Sequence, residues 1–277
     1  MLSLKFDFLK VSGCGNDFVV IVDFEDRYNF DWKNLARIVC RRAFSIGADG
    51  LVLLNKSEVA DARMRIFNPD GSEAEMCGNA ARCAARVIVW KEIVSSNTVT
   101  LQTLSGIITA QIKENIVKLK MSKPHSFTDK VQIKIKKKTY TGSFINTGVP
   151  HTVFFEEDIE TINLAEIGPK VRYDQQFQPE GTNVNFVQIT GNNSLSVRTY
   201  ERGVEAETYA CGTGAVASAV IGHLKGSLNE KIITVTTKGG ELTVEIDRED
   251  REIENVYLAS EASIIYSGQY LGEIENG

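Results

Sequence analysis

Two cysteines, Cys77 and Cys211, are each followed by glycine and then by a long run of small and aliphatic residues. Residues 78–90 read GNAARCAARVIVW and residues 212–225 read GTGAVASAVIGHLK. Both runs are apolar around most of a helical circumference, which predicts two buried helices. Each cysteine then stands at a helix start. The first turn of a helix leaves backbone N–H groups without intrahelical acceptors and carries partial positive charge. A thiol placed there is biased toward thiolate. The same N–H groups suit a carboxylate, and Gly78-Asn79 and Gly212-Thr213 let a ligand approach the backbone closely.

One such cysteine would suit a nucleophile, whereas two suit proton transfer at the α-carbon of an amino acid. Moving that proton from one face to the other needs a base on one side and an acid on the other. Two thiols, one ionised and one protonated, supply both and exchange roles in reverse. Two helix N-termini aimed at the α-carboxylate would stabilise the carbanion. No lysine setting suited to pyridoxal phosphate and no phosphate-binding loop is visible. The bland reading, small buried hydrophobes, is assigned to Cys14, Cys40 and Cys83. Should Cys77 and Cys211 face each other, oxidation could join them.

The elements that position the two cysteines are written twice. Gly15-Asn16-Asp17 leads into an apolar run, as does Gly148-Val149-Pro150-His151. Gly47-Ala48-Asp49-Gly50 and Gly181-Thr182-Asn183 each precede an apolar strand pattern. Arg65-Ile66-Phe67-Asn68 matches Arg198-Thr199-Tyr200-Glu201, and Cys77-Gly78 matches Cys211-Gly212, at offsets of 133 or 134. A Glu-Ala-Glu tripeptide precedes each cysteine, at residues 73–75 and 205–207, with two more residues before the second cysteine. These matches in one order predict two similar domains related by a pseudo-two-fold.

Alternating or β-branched runs predict strands at 18–22, 64–67, 99–104, 107–112, 117–121, 131–135, 184–189, 195–200, 232–236, 242–246 and 262–266. Amphipathic spacing predicts helices at 32–44 and at 164–173, the latter interrupted by Pro169. The expected fold class is α/β (α+β). Its two pseudo-symmetric domains each wrap a mostly antiparallel sheet or barrel around a central apolar helix, with the active site in the cleft between them. The boundary is expected between 118 and 128. Residues 1–121, joined by a returning strand after about 260 (261–277), form the first domain, and 122–260 the second.

The net charge of −5 shows no basic face for nucleic acid. The lysines at 134 and 136–138 read as a solvated edge strand. No stretch is long and apolar enough to span a bilayer, and the N-terminus lacks a secretory pattern. Five cysteines without such a signal point to a reducing cytosol. With no CxxC pair and only three histidines, no zinc site is expected.

Gly15-Asn16-Asp17-Phe18, the block from Phe67-Asn68-Pro69-Asp70-Gly71-Ser72 through Met76-Cys77-Gly78-Asn79 to Cys83, Glu201-Arg202-Gly203 and Ala210-Cys211-Gly212-Thr213-Gly214 closely resemble the diaminopimelate epimerase family. The resemblance runs from about residue 10 to the C-terminus. It implies interconversion of L,L- and meso-diaminopimelate without cofactor, in a cytoplasmic homodimer. It further implies that Cys77 and Cys211 are the acid/base pair. Gly78-Asn79 and Gly212-Thr213 would hold the α-carboxylate. Asn16, Asn68, Asn183 and Arg202 would line the pocket, Arg202 pairing the distal carboxylate, and Glu201 would accept from the distal ammonium. His151 and Glu201 would tune the thiols. Without the resemblance the three asparagines read as turn residues, Glu201-Arg202 as a surface pair and His151 as a turn cap. Two positions depart from the common family pattern, Val149 in place of asparagine and Gly50 in place of glutamine. The segment from Glu201 to Cys211 is also one residue longer.

Two other readings compete. A two-cysteine racemase acting on another amino acid, such as glutamate, would differ in the distal pocket. A non-catalytic amino-acid-binding or thiol-redox protein would exchange no α-proton.

Overall fold

The computed structural model describes residues 2–249 and 252–274. They fall into two compact units, the described residues of Met1–Leu119 with Ser260–Gly277, and Lys120–Ala259.

The first unit contains β1 (Leu2–Gly13), β2 (Asn16–Asp23), α1 (Trp32–Val39), β3 (Gly50–Asn55), β4 (Ala62–Phe67), the short β5 (Glu73–Ala74), α2 (Gly78–Trp90), β6 (Thr98–Thr103), β7 (Gly106–Lys113) and β8 (Ile116–Lys120). The second contains β9 (His125–Ile135), β10 (Lys138–Asn146), β11 (Pro150–Phe155), α3 (Leu164–Arg172), β12 (Asn183–Gly191), β13 (Ser194–Glu201), β14 (Ala206–Glu207), α4 (Gly212–Leu224), β15 (Ile232–Thr237), β16 (Gly240–Glu249) and β17 (Glu252–Glu261). The chain then returns to the first unit as β18 (Ser263–Ile274), antiparallel to β1.

Pairing repeats strand for strand. The first sheet runs β18-β1-β2-β3-β4-β6-β7-β8, with β2–β3 and β4–β6 parallel and the other pairs antiparallel. The second runs β9-β10-β11-β12-β13-β15-β16-β17, parallel at β11–β12 and β13–β15. Each unit therefore uses one architecture, and only the source of its first strand differs.

Each sheet bends around one helix, α2 in the first unit and α4 in the second. The helix sequences explain the fit. Residues 79–85 of α2 and 214–222 of α4 are buried without a break, and the alanines, glycines and serine among them let strands approach from several directions. The outer face of each sheet is covered too, by α1 on β3 and β4 and by α3 on β12 and β13. Strands covered on both faces read as continuous apolar runs. In β3, Leu51 and Leu53 join the α1-side cluster with Leu35 and Val39. In β12, Val184 and Phe186 join Leu164, Ile167 and Val171 of α3. Alternation along β12 then turns Asn183 and Asn185 toward the α4 face.

Three expectations change. The helix from Trp32 stops at Val39, with Cys40 as its C-cap. Beyond it Ala43 adopts φ +65°, and the chain folds back so that Gly47 N–H donates to the Val39 carbonyl. Pro169 does not interrupt α3, which runs unbroken from Leu164 to Arg172. Proline inside a helix costs about 3 kcal/mol. The helix packs closely beside it at Gly168, where an added Cβ would lie 2.5 Å from the Tyr200 ring. Strands β1, β10 and β17 and the two-residue β5 and β14 lie outside the expected set, and β3 and β11 were read only as apolar runs after the repeated turns.

Candidate active site

Cys77 and Cys211 are the N-cap residues of α2 and α4, both in extended backbone (φ −144°, ψ 120° and φ −114°, ψ 107°). Asp31 and Asn163 cap α1 and α3 with side-chain oxygens, a contact worth about 1 kcal/mol per helix. Neither thiol makes such a capping bond. Cys77 is half-buried and Cys211 is buried. None of the five cysteines is in a disulfide.

The same device leads the chain into both cysteines. In the first unit Phe67 pairs with Glu73, and Arg65 grips Glu73 through two hydrogen bonds, Nε at 2.7 Å and Nη2 at 2.9 Å. In the second, Tyr200 pairs with Glu207, and Arg198 grips Glu207 at 2.8 and 3.0 Å. Glu73 and Glu207 each stand four residues before their cysteine. The structural counterpart of Glu73 is thus Glu207, which corrects the alignment of the two Glu-Ala-Glu tripeptides. The extra length of the second copy lies in the turn between β13 and β14. There Glu205, at φ +57°, accepts from Arg172 Nε and Gly203 N–H. The arginines hold Glu73 and Glu207 below the usual carboxylate range.

In the first unit Asn16 and Asn79 meet. Asn79 Nδ2 donates to Asn16 Oδ1, Arg82 Nη2 donates to Asn79 Oδ1, and Asn16 Nδ2 donates to Asp49 Oδ2 at 3.1 Å. Arg82 is fully buried, and its Nε and Nη1 have no acceptor among the described residues. Arg42 bridges Asp49 and Asp17, and Lys10 pairs with Asp17 at 2.6 Å. Burial alone would raise the Asp17 pKa, but hydrogen bonds from Arg42 and Lys10 bring it to about 2. Asn68 is exposed at the end of β4, its amide donating to Ser72 Oγ at 2.9 Å.

In the second unit His151 on β11 is fully buried and lies opposite Asn183 of β12. Asn183 Nδ2 donates to the Pro150 carbonyl, and its Oδ1 accepts from Arg202 N–H, so it fixes the turn that carries Arg202. Arg202 Nη1 donates to the Glu180 carbonyl. Glu201 is largely buried, which raises its carboxyl pKa. Thr213 Oγ1 lies 3.5 Å from Cys211 Sγ, and Thr147 donates to the Thr213 carbonyl. His151 is pushed down to about 3 by burial first and by the Arg202 charge second. It is neutral across the physiological range.

Asp49 and Arg82 belong to the first of these networks, and Asn185, whose amide lies 3.1 Å from His151 Nδ1 and accepts from the Thr199 hydroxyl, belongs to the second, although none of the four stands among the residues expected from the sequence. Asn185 carried a usable signal, since it follows Asn183 by two in a strand. Arg82 carried another, as a charge in an otherwise apolar helix. Cys40 and Cys83 are buried thiols whose pKa values burial raises to about 12, in keeping with inert core positions. Cys14 is only half-buried, in a turn at φ +51°, and so is not a core hydrophobe. Gly50 is enclosed, because a Cβ there would lie 3.1 Å from the Phe67 carbonyl and 3.3 Å from the Phe18 ring. Among the described residues no group of three or more His, Cys, Asp or Glu is arranged to hold a metal ion, and no helix is long and apolar enough to cross a membrane.

The sequence model of the diaminopimelate epimerase family matches residues 8–126 and 143–265. The diaminopimelate epimerase of Aquifex aeolicus is 40% identical over 279 aligned positions, covering 97% of this chain and 99% of the relative. Among solved structures, a phenazine biosynthesis protein of the PhzF family from Bacillus anthracis superposes with a TM-score of 0.72 at 17% identity, over 97% of this chain and 99% of the other. A hydroxyproline epimerase from Agrobacterium vitis, solved with trans-4-hydroxy-L-proline, gives 0.71 at 15% identity, over 96% and 92%. These two likenesses establish the mixed α/β two-domain fold.

Proposed function

The chain belongs to the diaminopimelate epimerase family, and we propose that it interconverts L,L- and meso-2,6-diaminopimelate through its two cysteines, without pyridoxal phosphate. The observation that carries this reading is the duplicated placement of Cys77 and Cys211 at the starts of two buried helices. In one direction the Cys77 thiolate removes the α-proton while the Cys211 thiol delivers its own proton to the opposite face. Cys77 ends as thiol and Cys211 as thiolate, and the reverse reaction uses them in exchanged roles. Backbone N–H groups of Gly78-Asn79 and Gly212-Thr213 hold the α-carboxylate. The helix N-termini favour the charge that develops there.

Asn16, Asn68, Asn183, Glu201 and Arg202 recognise the distal amino acid centre, with Arg202 on the carboxylate and Glu201 on the ammonium. His151 and Glu201 act on the thiols. His151 does so as a neutral ring, since its pKa lies far below the working range. The family resemblance also implies a cytoplasmic homodimer, and light scattering on the purified protein measures that state.

Incubation of the reduced protein with L,L-diaminopimelate in D₂O tests the reading. Loss of the α-proton signal with appearance of the meso product is expected by NMR. No exchange from reduced protein overturns it. Exchange with glutamate alone would favour the related racemase, a reading that Val149 keeps open at the distal end. A Cys77–Cys211 couple that cycles without proton exchange would favour thiol-redox chemistry.

A further inference from the structure

We propose that Asn185 is a positioning residue that holds His151 in the neutral tautomer protonated on Nε2, so that the ring serves as a fixed hydrogen-bond donor and takes no part in proton transfer. The tautomer follows from the bonding alone. Its use in catalysis rests on the epimerase reading.

The Thr152 carbonyl sets the orientation of the Asn185 amide. A carbonyl only accepts, so the Asn185 atom 3.0 Å from it is the amide nitrogen. The other side of the amide is then oxygen, and the Thr199 hydroxyl donates to it at 2.9 Å. The remaining N–H of Asn185 points at His151 Nδ1, 3.1 Å away. Nδ1 must accept, so the ring proton is on Nε2. Nε2 is buried and has no acceptor among the described residues. The group is a donor held ready for an acceptor that these residues do not supply.

The repeat shows that the fold does not require this network. Pairing of Phe18 with Gly50 matches pairing of His151 with Asn183. By the same register His151, Thr152, Asn185 and Thr199 correspond to Phe18, Val19, Val52 and Ile66, all apolar and buried. The helix residue facing the network differs in step. Gly214 in α4 corresponds to Ala80 in α2. A Cβ on Gly214 would collide with Asn185 Oδ1, and would lie 3.2 Å from Thr199 Oγ1 and 3.3 Å from the Cys211 Cβ. Three polar side chains, those of His151, Asn185 and Thr199, and one missing methyl thus replace an apolar core that the same architecture accepts elsewhere. They lie against the first turn of α4, beside Cys211. The charged group bearing on the ring is Arg202, which disfavours a second proton together with burial. With three histidines in the chain, the ring is also spectroscopically separable.

The test is long-range ¹H–¹⁵N correlation on the full chain labelled at histidine, with His151 assigned by its loss in His151→Gln. The expected spectrum has Nε2 protonated and Nδ1 bare, unchanged from pH 5 to 9. Asn185→Asp should place a proton on Nδ1. It should also lower kcat/KM on the order of 10-fold or more, as loss of an imidazole's orienting partner does elsewhere, and add a new acid limb to the pH profile. A wild-type ring protonated on Nδ1, or one that titrates in this range, overturns the proposal. So does folded Asn185→Asp with an unchanged tautomer. If Asn185→Asp does not fold, the wild-type spectrum decides alone. The expected spectrum from a protein that exchanges no α-proton would refute the epimerase reading and leave the tautomer standing.

Discussion

At the scale of single residues the proposed chemistry rests on two cysteines, one half-buried and one buried. Replacing either by alanine removes one side of the proton transfer. Cys77→Ala and Cys211→Ala are each expected to lower epimerisation by about 10²- to 10⁴-fold, the usual weight of a positioned acid or base, with the melting temperature nearly unchanged. Substantial activity in either variant would exclude the two-base mechanism. His151 makes a second, independent statement, about stability. Its folded pKa is about 3, below the ordinary histidine value of 6.5. Between those values the unfolded chain binds a proton that the folded chain refuses. Its contribution is therefore present above about pH 6.5 and is lost as the pH falls toward 3. The slope is at most about 1.4 kcal/mol per pH unit. Urea unfolding at pH 7 and pH 5 should show wild type losing more stability than His151→Gln over that interval. Equal losses would mean that the ring is protonated in the folded protein.

At the scale of elements, Gly214 tests whether the network shapes α4. Gly214→Ala is expected to destabilise by about 1–3 kcal/mol, the usual cost of overpacking, through the clash with Asn185. Adding Asn185→Val, which recreates the Ala80 and Val52 pairing of the first unit, should recover most of that loss. Additive effects in the double-mutant cycle would show that the two positions do not touch. Elements also differ in how plainly the sequence announces them. The helices behind Cys77 and Cys211 were legible because a helix apolar on every side has to be buried, and the expected starts match the structure. Strand β1 carries its own alternation, Leu4 and Phe6 buried with Lys5 and Asp7 exposed, yet it was not among the expected strands, whereas its partner β18 at the far end of the chain was read as a returning strand. The end of α1 was not legible, since nothing in Arg41-Arg42-Ala43 announces a residue at positive φ. The match of Glu73 with Glu207 was hidden by the more conspicuous tripeptides. The strand pairing and the two arginine grips reveal it, because both depend on register. Asn183 and Asn185 stand two apart in β12 and so share a face, but which face that is depended on α3 covering the other side.

At the scale of the whole chain, the repeat is complete in sequence order for the second unit and broken for the first. Strand β9 precedes β10 directly, whereas its counterpart β18 arrives only after all of the second unit. That strand is not an ornament on the sheet. It pairs with β1 from Leu2↔Ile274 to Ser12↔Ser263, with one irregularity at Lys10/Val11. Tyr270 stacks on Phe6 at 5.0 Å between centroids, and Tyr266 meets Phe8 edge-on at 6.0 Å. Phe6 in turn touches Tyr28 and Phe30 and belongs to the cluster under α1. Removing residues 263–277 would leave β1 as a bare edge and uncover that cluster. The loss is expected to match the roughly 5–15 kcal/mol that holds a typical domain together. The effect should be confined by the topology. Amides of β1, β2 and α2 should lose protection in hydrogen exchange, while those of β12 and α4 keep theirs, because every strand of their sheet lies upstream of the cut. Protection retained in α2 would show that the first unit closes without β18. Loss in α4 as well would show that the two copies, though each built to the same plan, fold as one cooperative body.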